Sequence, residues 1–291
     1  MSVPKTALIC HDAGGANVLL AWLARQEGLP ASAYVEGPAL TLWRARFGDR
    51  PLSASPDECI AGADILITAT SWNSDLEHHA RIRARALGIR SIAVLDHWVN
   101  YRERFVRDGQ TSLPDEIWVA DETALRIAVD VFPGIPVTLI RNEYVAEMLA
   151  AIEPVDTLGT PELLYLLEPA RSDWGRGVPG EFQALDFFTS RLHTLGLPEG
   201  TPIRFRPHPS DPPGKYDQWL EAHGFGPDAI DRSASVVDGI SRARWVAGCE
   251  SFALALALDA GRTVYCTLPP WAPACRLPHA GLIHLKEFTS H

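Results

Sequence analysis

Lysine is nearly missing from this chain. Only Lys5, Lys215 and Lys286 occur, so 23 of the 26 basic residues are arginines. Genome base content produces such a bias, although arginine is also the better fork for phosphate and carboxylate. An excess of positive charge is missing too: the net charge of −10 excludes broad nucleic-acid binding, which needs a basic surface to displace counterions. No apolar run reaches membrane-spanning length, because FALALALDAG from Phe252 is cut at Asp259. MSVPKTALIC lacks the layout of a signal peptide. These features predict a cytoplasmic protein without a transmembrane segment, compatible with peripheral membrane association. There is no C-x-x-C pair among the five cysteines, and Cys266, Cys275, His279 and His284 match no common zinc spacing. Buried free thiols and no bound metal are expected. No G-x-x-x-x-G-K-[ST] occurs, which excludes a P-loop nucleotide site of that kind.

What is present is a regular alternation. Apolar runs of strand length (TALIC, SAYVEG, DILITAT, SIAVLD, EIWVA, VTLI) are separated by longer amphipathic stretches in the first half. The same grammar returns in the second with ELLYLLE, PIRFR, RWVAG and TVYCT. Such alternation predicts βαβ units and parallel sheets covered on both faces. The fold class expected is therefore α/β: two Rossmann-like, doubly wound domains facing a cleft, over residues 1–152 and 160–291. The break is placed at PVDTLGTP, within about 153–161. In such sheets ligands lie beyond the carboxyl ends of the strands, so the turns that follow the strands carry the information.

The first turn is His11-Asp12-Ala13-Gly14-Gly15-Ala16-Asn17. Two glycines admit close backbone approach, a helix N-terminus favours an anion, and Asn17 is a candidate cap. Asp12 is a candidate general base, with His11 beside it. LDHWVNY concentrates Asp96, His97 and Asn100 with two aromatics at another strand end, a mixture suited to sugar or base binding and equally to aromatic packing. In the second half, GRGVPG is formally G-x-G-x-x-G, but it starts seven residues past Glu168 and no acid closes the next strand. Arg171, Ser172 and Arg176 make that loop a phosphate candidate without a dinucleotide implication. FRPHPSD places Arg206, His208 and Ser210 at a strand end pinned by prolines. Glu250 and Ser251 stand between RWVAGC and the helix that follows, where Ser251 is either a plain N-cap or a phosphate contact, and Glu250 suits a ribose or sugar hydroxyl.

Across about residues 160–268, His208-Pro209 at a strand end and Ser251 opening CESFALALAL, followed by a strand entry at Ala260 to Val264, resemble the donor domain of GT-B glycosyltransferases. The likeness is to the bacterial sialyltransferase-like and the capsule or teichoic-acid polymer transferases. The resemblance implies a metal-independent enzyme with no cofactor. Its partners would be a nucleotide-sugar donor of CMP or UDP type and a glycan or other hydroxyl acceptor, in surface polysaccharide synthesis. Arg171, Ser172, Arg176, Arg206, His208, Ser210, Glu250 and Ser251 would then serve the donor, with His208 assisting departure of the nucleotide. His11, Gly14, Gly15, Asn17, His97 and Asn100 would face the acceptor. The family's paired-acid-glycine motif is absent, which leaves Asp12 and Asp96 as the candidate bases. The chain is also short for that architecture. A nucleotide-sugar hydrolase or 2-epimerase on the same fold is the alternative, and a non-catalytic small-molecule binding protein the third reading.

Overall fold

The computed structural model describes residues 4–27, 31–157, 159–169 and 171–288. They form two compact units, Met1–Ala146 and Glu147–His291. The first unit holds strands β1 (Thr6–Cys10), β2 (Ala31–Val35), β3 (Ile65–Thr68) and β4 (Arg90–Leu95), the hairpin β5 (Val106–Arg107) and β6 (Gln110–Thr111), then β7 (Glu116–Val119) and β8 (Val137–Leu139). Its helices are α1 (Ala13–Ala24), α2 (Gly37–Phe47), α3 (Pro56–Ile60), α4 (Leu76–Ala86) and α5 (Glu122–Val131). The boundary between the units falls within α6 (Glu143–Ala151).

Six strands make one parallel sheet in the order β2-β1-β3-β4-β7-β8. The period of two in β1 sorts its side chains onto both faces. Leu8 and Cys10 join a core with Leu19, Trp43 and Val94. Ala7 and Ile9 join Cys59, Ile60 and Leu66 on the other side. All five residues of β1 are buried, as a strand with helices on both faces requires.

The second unit contains β9 (Glu162–Leu166), α7 (Gly180–Arg191), β10 (Ile203–Arg206), α8 (Asp217–Ala222), α9 (Val236–Arg242), β11 (Ala243–Gly248), α10 (Phe252–Asp259), β12 (Thr263–Cys266) and β13 (Ile283–His284). Its sheet is parallel as well, ordered β10-β9-β11-β12-β13. Leu163, Tyr165, Phe188, Phe205, Ala247 and Tyr265 fill its core. The α/β, doubly wound expectation holds in both units.

Three elements escape the sequence pattern. Helix α3 is one short turn, started by Ser55 accepting from Glu58 N–H, too brief for a helical period to register. The hairpin β5–β6 has two residues per strand, and β13 lies in a proline-rich tail that carries no strand signal. Helix α1 begins at Ala13 rather than after Asn17, because its extended N-cap is Asp12. Asn17 is thus inside the helix and caps nothing.

In each sheet the strand order reverses once, between β1 and β3 and between β9 and β11. These are the switch points at which open α/β sheets present ligands. Each is bridged by an acid that follows the first strand. Asp12 Oδ2 accepts from Trp72 N–H at 2.7 Å, and Glu168 Oε1 accepts from Glu250 N–H at 2.6 Å.

Candidate functional site

In the first unit the turn after β1 is filled by the protein's own acids. Asp12 Oδ1 lies 2.7 Å from His11 Nδ1, and Oδ2 takes the Trp72 and Asn73 N–H groups at 2.7 and 3.5 Å. Burial alone would raise the Asp12 carboxyl, but these hydrogen bonds, His11 first, hold it below its ordinary value. Asp96 accepts from Arg104 Nη1 at 2.8 Å, and the same nitrogen reaches Thr70 O at 3.0 Å. A Cβ on Gly14 would stand 2.0 Å from Asp96 Oδ2, and one on Gly15 would stand 2.6 Å from the Ala69 Cβ. The two glycines thus admit a carboxylate and a neighbouring strand end to the start of α1. Negative charge there is favoured by the unpaired N–H groups of the helix.

Gly14→Ala is therefore expected to lower stability by about 1–2 kcal/mol through the displaced Asp96–Arg104 pair, despite its better helix propensity. In an Asp96→Ala background the same change should be neutral or stabilising. Urea midpoints of the four proteins measure this, and equal costs in both backgrounds would reject the contact as the cause.

Glu77, in the first turn of α4, was not predicted. It is 1% exposed, its Oε1 accepts from His11 N–H at 2.9 Å, and its Oε2 has no partner among the described residues. Burial pushes its carboxyl up to about 7. Arg81, one turn on, is equally buried and donates to Ser112 O and Thr68 Oγ1. Arg83, Arg85 and Arg90 of the same run RIRARALGIR are exposed, so Arg81 is the one arginine of that run turned inward. Burial brings its pKa down to about 10. His97 Nδ1 accepts from Trp98 N–H at 2.9 Å, and Asn100 is an exposed residue in left-handed backbone, with φ of 58°. The structure brings His11, Asp12, Gly14, Gly15 and Asp96 together; it gives Asn17 no comparable contact.

In the second unit, the switch point carries an arginine cluster. Glu250, buried and following β11, accepts from Arg171 Nη1 at 3.0 Å. It also accepts from Arg276 N, Nε and Nη2 at 2.9, 3.1 and 2.7 Å. Arg171 Nη2 donates to Glu168 as well. Burial would raise the Glu250 carboxyl, but Arg276 and Arg171 hold it below the usual range. Arg171, Ser172, Trp174, Glu250, Leu268, Pro273 and Arg276 line a hollow of about 340 Å³. Ser251 caps α10 without a side-chain hydrogen bond, and its buried Oγ has no partner among the described residues. Glu250 is thus saturated by arginine, and the expectation that it meets a sugar hydroxyl gives way to one in which it aims two guanidinium groups. Arg276 was missed because it lies in a proline-rich segment with no periodicity.

His208 stands beyond β10, which stops where Pro207 has no N–H to offer. Its N–H donates to Asp211 Oδ2 at 3.0 Å, and Asp211 N–H returns to His208 O at 2.9 Å. Ser210 N–H donates to His208 Nδ1 at 3.2 Å, which leaves the proton of a neutral ring on Nε2 as an outward donor. Lys215 Nζ donates to Asp211 at 2.8 Å and lies 2.9 Å from Glu181. Burial would lower the Lys215 ammonium, but these two acids raise it above its ordinary value. Tyr216 Oη donates to Glu168 O at 2.9 Å, and burial pushes its phenol up to about 12. One polar chain thus links the turn after β10 to the end of β9. Its members Glu181, Asp211, Lys215 and Tyr216 look like ordinary helix and loop residues in the sequence.

Two predicted donor residues lie elsewhere. Arg206 Nη1 is tied to Asp231 at 2.7 Å and Ser233 O at 3.2 Å, so it fastens the loop before α9 to β10. Arg176 stacks on Trp271, 3.9 Å from the ring centroid, beside a different hollow. The glycines of GRGVPG serve the turn itself: Gly175 and Gly177 have φ of 76° and 72°, and Asp173 accepts from both N–H groups. The tail thiols are hydrogen-bonded, with Cys266 Sγ 3.1 Å from Cys249 O, and the cysteines are free. Among the described residues no cluster of His, Cys, Asp and Glu is arranged to hold a metal ion. None of their helices is long and apolar enough to cross a membrane.

No protein-family profile matches the chain, and no curated protein matches it. Solved structures do. The UDP-GlcNAc 2-epimerase of Neisseria meningitidis, bound to UDP-GlcNAc, is similar with a TM-score of 0.58 at 10% identity, covering 94% of this chain and 84% of its own. The UDP-GlcNAc 2-epimerase of Methanocaldococcus jannaschii is similar with a TM-score of 0.57 at 9% identity, covering 90% of this chain and 83% of its own. At such identities the likeness is one of fold. The chain has a GT-B-like α/β fold, while the sialyltransferase-type assignment rests on its short motifs alone.

Proposed function

We propose that this chain is an enzyme acting on a nucleotide sugar, as a 2-epimerase or hydrolase that needs no acceptor. The observation that supports it best is the hollow at the second switch point, where Glu250 holds Arg171 and Arg276 side by side. Two guanidinium forks at the end of a parallel sheet, beside the unpaired Ser251 hydroxyl and the start of α10, suit a diphosphate. The shared fold of UDP-GlcNAc 2-epimerases favours a UDP-linked N-acetylhexosamine as the first compound to test. Charge developing on the departing diphosphate would be met by donors already in place. His208, with Nε2–H pointing outward from a hydrogen-bonded turn, would donate to the leaving oxygen or to the phosphate. Free thiols in all five cysteines agree with a cytoplasmic setting, where nucleotide sugars are handled without disulfides.

Purified protein incubated with UDP-GlcNAc alone is expected to yield the C2 epimer, or free sugar with UDP. His208→Ala is expected to slow this at least 100-fold while leaving the melting temperature within about 2 °C, since the residue is exposed. Turnover that appears only after a hydroxyl acceptor is added would instead establish the transferase reading, which the His208-Pro209 motif supports. Failure to bind any nucleoside diphosphate or nucleotide sugar would reject both.

A further inference from the structure

Gln183 is the fourth residue of α7, 6% exposed, and does not line the hollow of the arginine cluster. Its side-chain amide is used three times. Nε2 donates to Asp173 O at 2.6 Å and to Val178 O at 2.7 Å, both in the segment 171–178. Oε1 accepts from Trp271 Nε1 at 2.7 Å, in the segment 268–276. The first segment supplies Arg171, Ser172 and Trp174 to the hollow, and the second supplies Pro273 and Arg276. Arg176 of the first segment also stacks on Trp271 of the second, 3.9 Å from its ring. The two arginine-bearing segments therefore meet at two contacts that do not involve Glu250, once through a buried amide and once through a cation–π contact.

We infer that Gln183 and Trp271 are positioning residues that hold the two segments in register, so that Arg171 and Arg276 share one ligand. This rests on the nucleotide-sugar reading for the identity of that ligand, but not for the coupling itself. A buried amide with both donors and its acceptor satisfied fixes all its partners together, because moving one strands the others. Glu250 alone does not fix both segments: its Oε1 holds the Arg171 and Arg276 guanidinium groups, which end long, rotamer-rich side chains, and its Oε2 accepts from the Arg276 N–H, so it ties down backbone in the second segment but not in the first. Gly180 is part of the same arrangement. A Cβ there would stand 2.6 Å from the Trp174 ring and 2.7 Å from Ser172 O, so the segment lies flat on the start of α7.

The test uses the full chain with UDP as probe, in Trp271→Phe, Gln183→Leu and the double variant. Trp271→Phe removes the indole N–H and keeps an aromatic face for Arg176. Calorimetry is expected to show affinity lowered about 3- to 10-fold in Trp271→Phe and somewhat more in Gln183→Leu. The double variant should be no weaker than Gln183→Leu, because the shared bond is lost only once. Amide exchange is read in parallel, without ligand: protection should fall in 171–178 and 268–276 together in either single variant. Exchange that rises in only one segment, or additive losses of affinity, would overturn the inference. Should the wild type bind neither UDP nor any other nucleoside diphosphate or nucleotide sugar while the two segments still loosen together, the coupling stands and the functional reading fails.

Discussion

Glu250→Ala is expected to abolish measurable nucleoside-diphosphate binding and to lower stability by about 3 kcal/mol. The carboxylate accepts four hydrogen bonds from Arg171 and Arg276. Removing it leaves two guanidinium groups beside each other with no counter-charge except Glu168, which Arg171 already uses. Arg276, more than half exposed, turns to water, whereas Arg171 cannot do so without leaving the hollow. Glu250→Gln separates the two consequences. It keeps one oxygen acceptor and the shape, so most of the stability should return, while affinity stays at least ten-fold below wild type because the amide NH2 cannot accept from the N–H donors it would face and both arginines are no longer aimed together. Urea denaturation and calorimetry on both variants measure the two effects. Wild-type affinity in Glu250→Gln would remove the arginine pair from the binding site.

The second large effect is one of pH. Glu77 has its carboxyl pushed from 4.5 up to about 7 by burial. Between those values the folded chain binds a proton at this site that the unfolded chain has released, so stability falls as pH rises. The contribution is complete below about pH 4.5 and lost above about pH 7, and amounts to about 3 kcal/mol at most. Glu77→Gln imitates the protonated acid, since its oxygen can still accept from His11 N–H. The variant should match wild type at pH 5 and be more stable at pH 8. Parallel melting curves at the two pH values decide it; an equal difference at both would mean that Glu77 stays ionised in the fold.

Much of the fold is legible in the chain. Buried parallel strands demand continuous apolar runs, and TALIC, SIAVLD and ELLYLLE are such runs; burial follows them residue by residue. The turns after the strands are legible as places, because polar residues at the end of an apolar run have no reason in packing. Their partners are not. FRPHPSD shows a strand stopped by proline, but nothing in it says that Arg206 turns sideways to Asp231 while His208 is held by Asp211. GRGVPG looks like a ligand loop, yet its glycines serve the turn, and Arg176 meets Trp271, ninety-five residues later in the chain.

The sequence by itself determined the α/β class, the two parallel sheets and the strand ends at which polar residues gather, because these follow from local periodicity and from backbone rules that act over a few residues. Tertiary structure decided which of those polar residues meet. The pairing of Arg171 with Arg276 across Glu250, the burial of Glu77 behind His11 and the triple use of Gln183 all join residues far apart in the chain. Such contacts exist only once the sheets have closed, and hydrogen bonds of a buried group leave no periodic trace in the residues that make them.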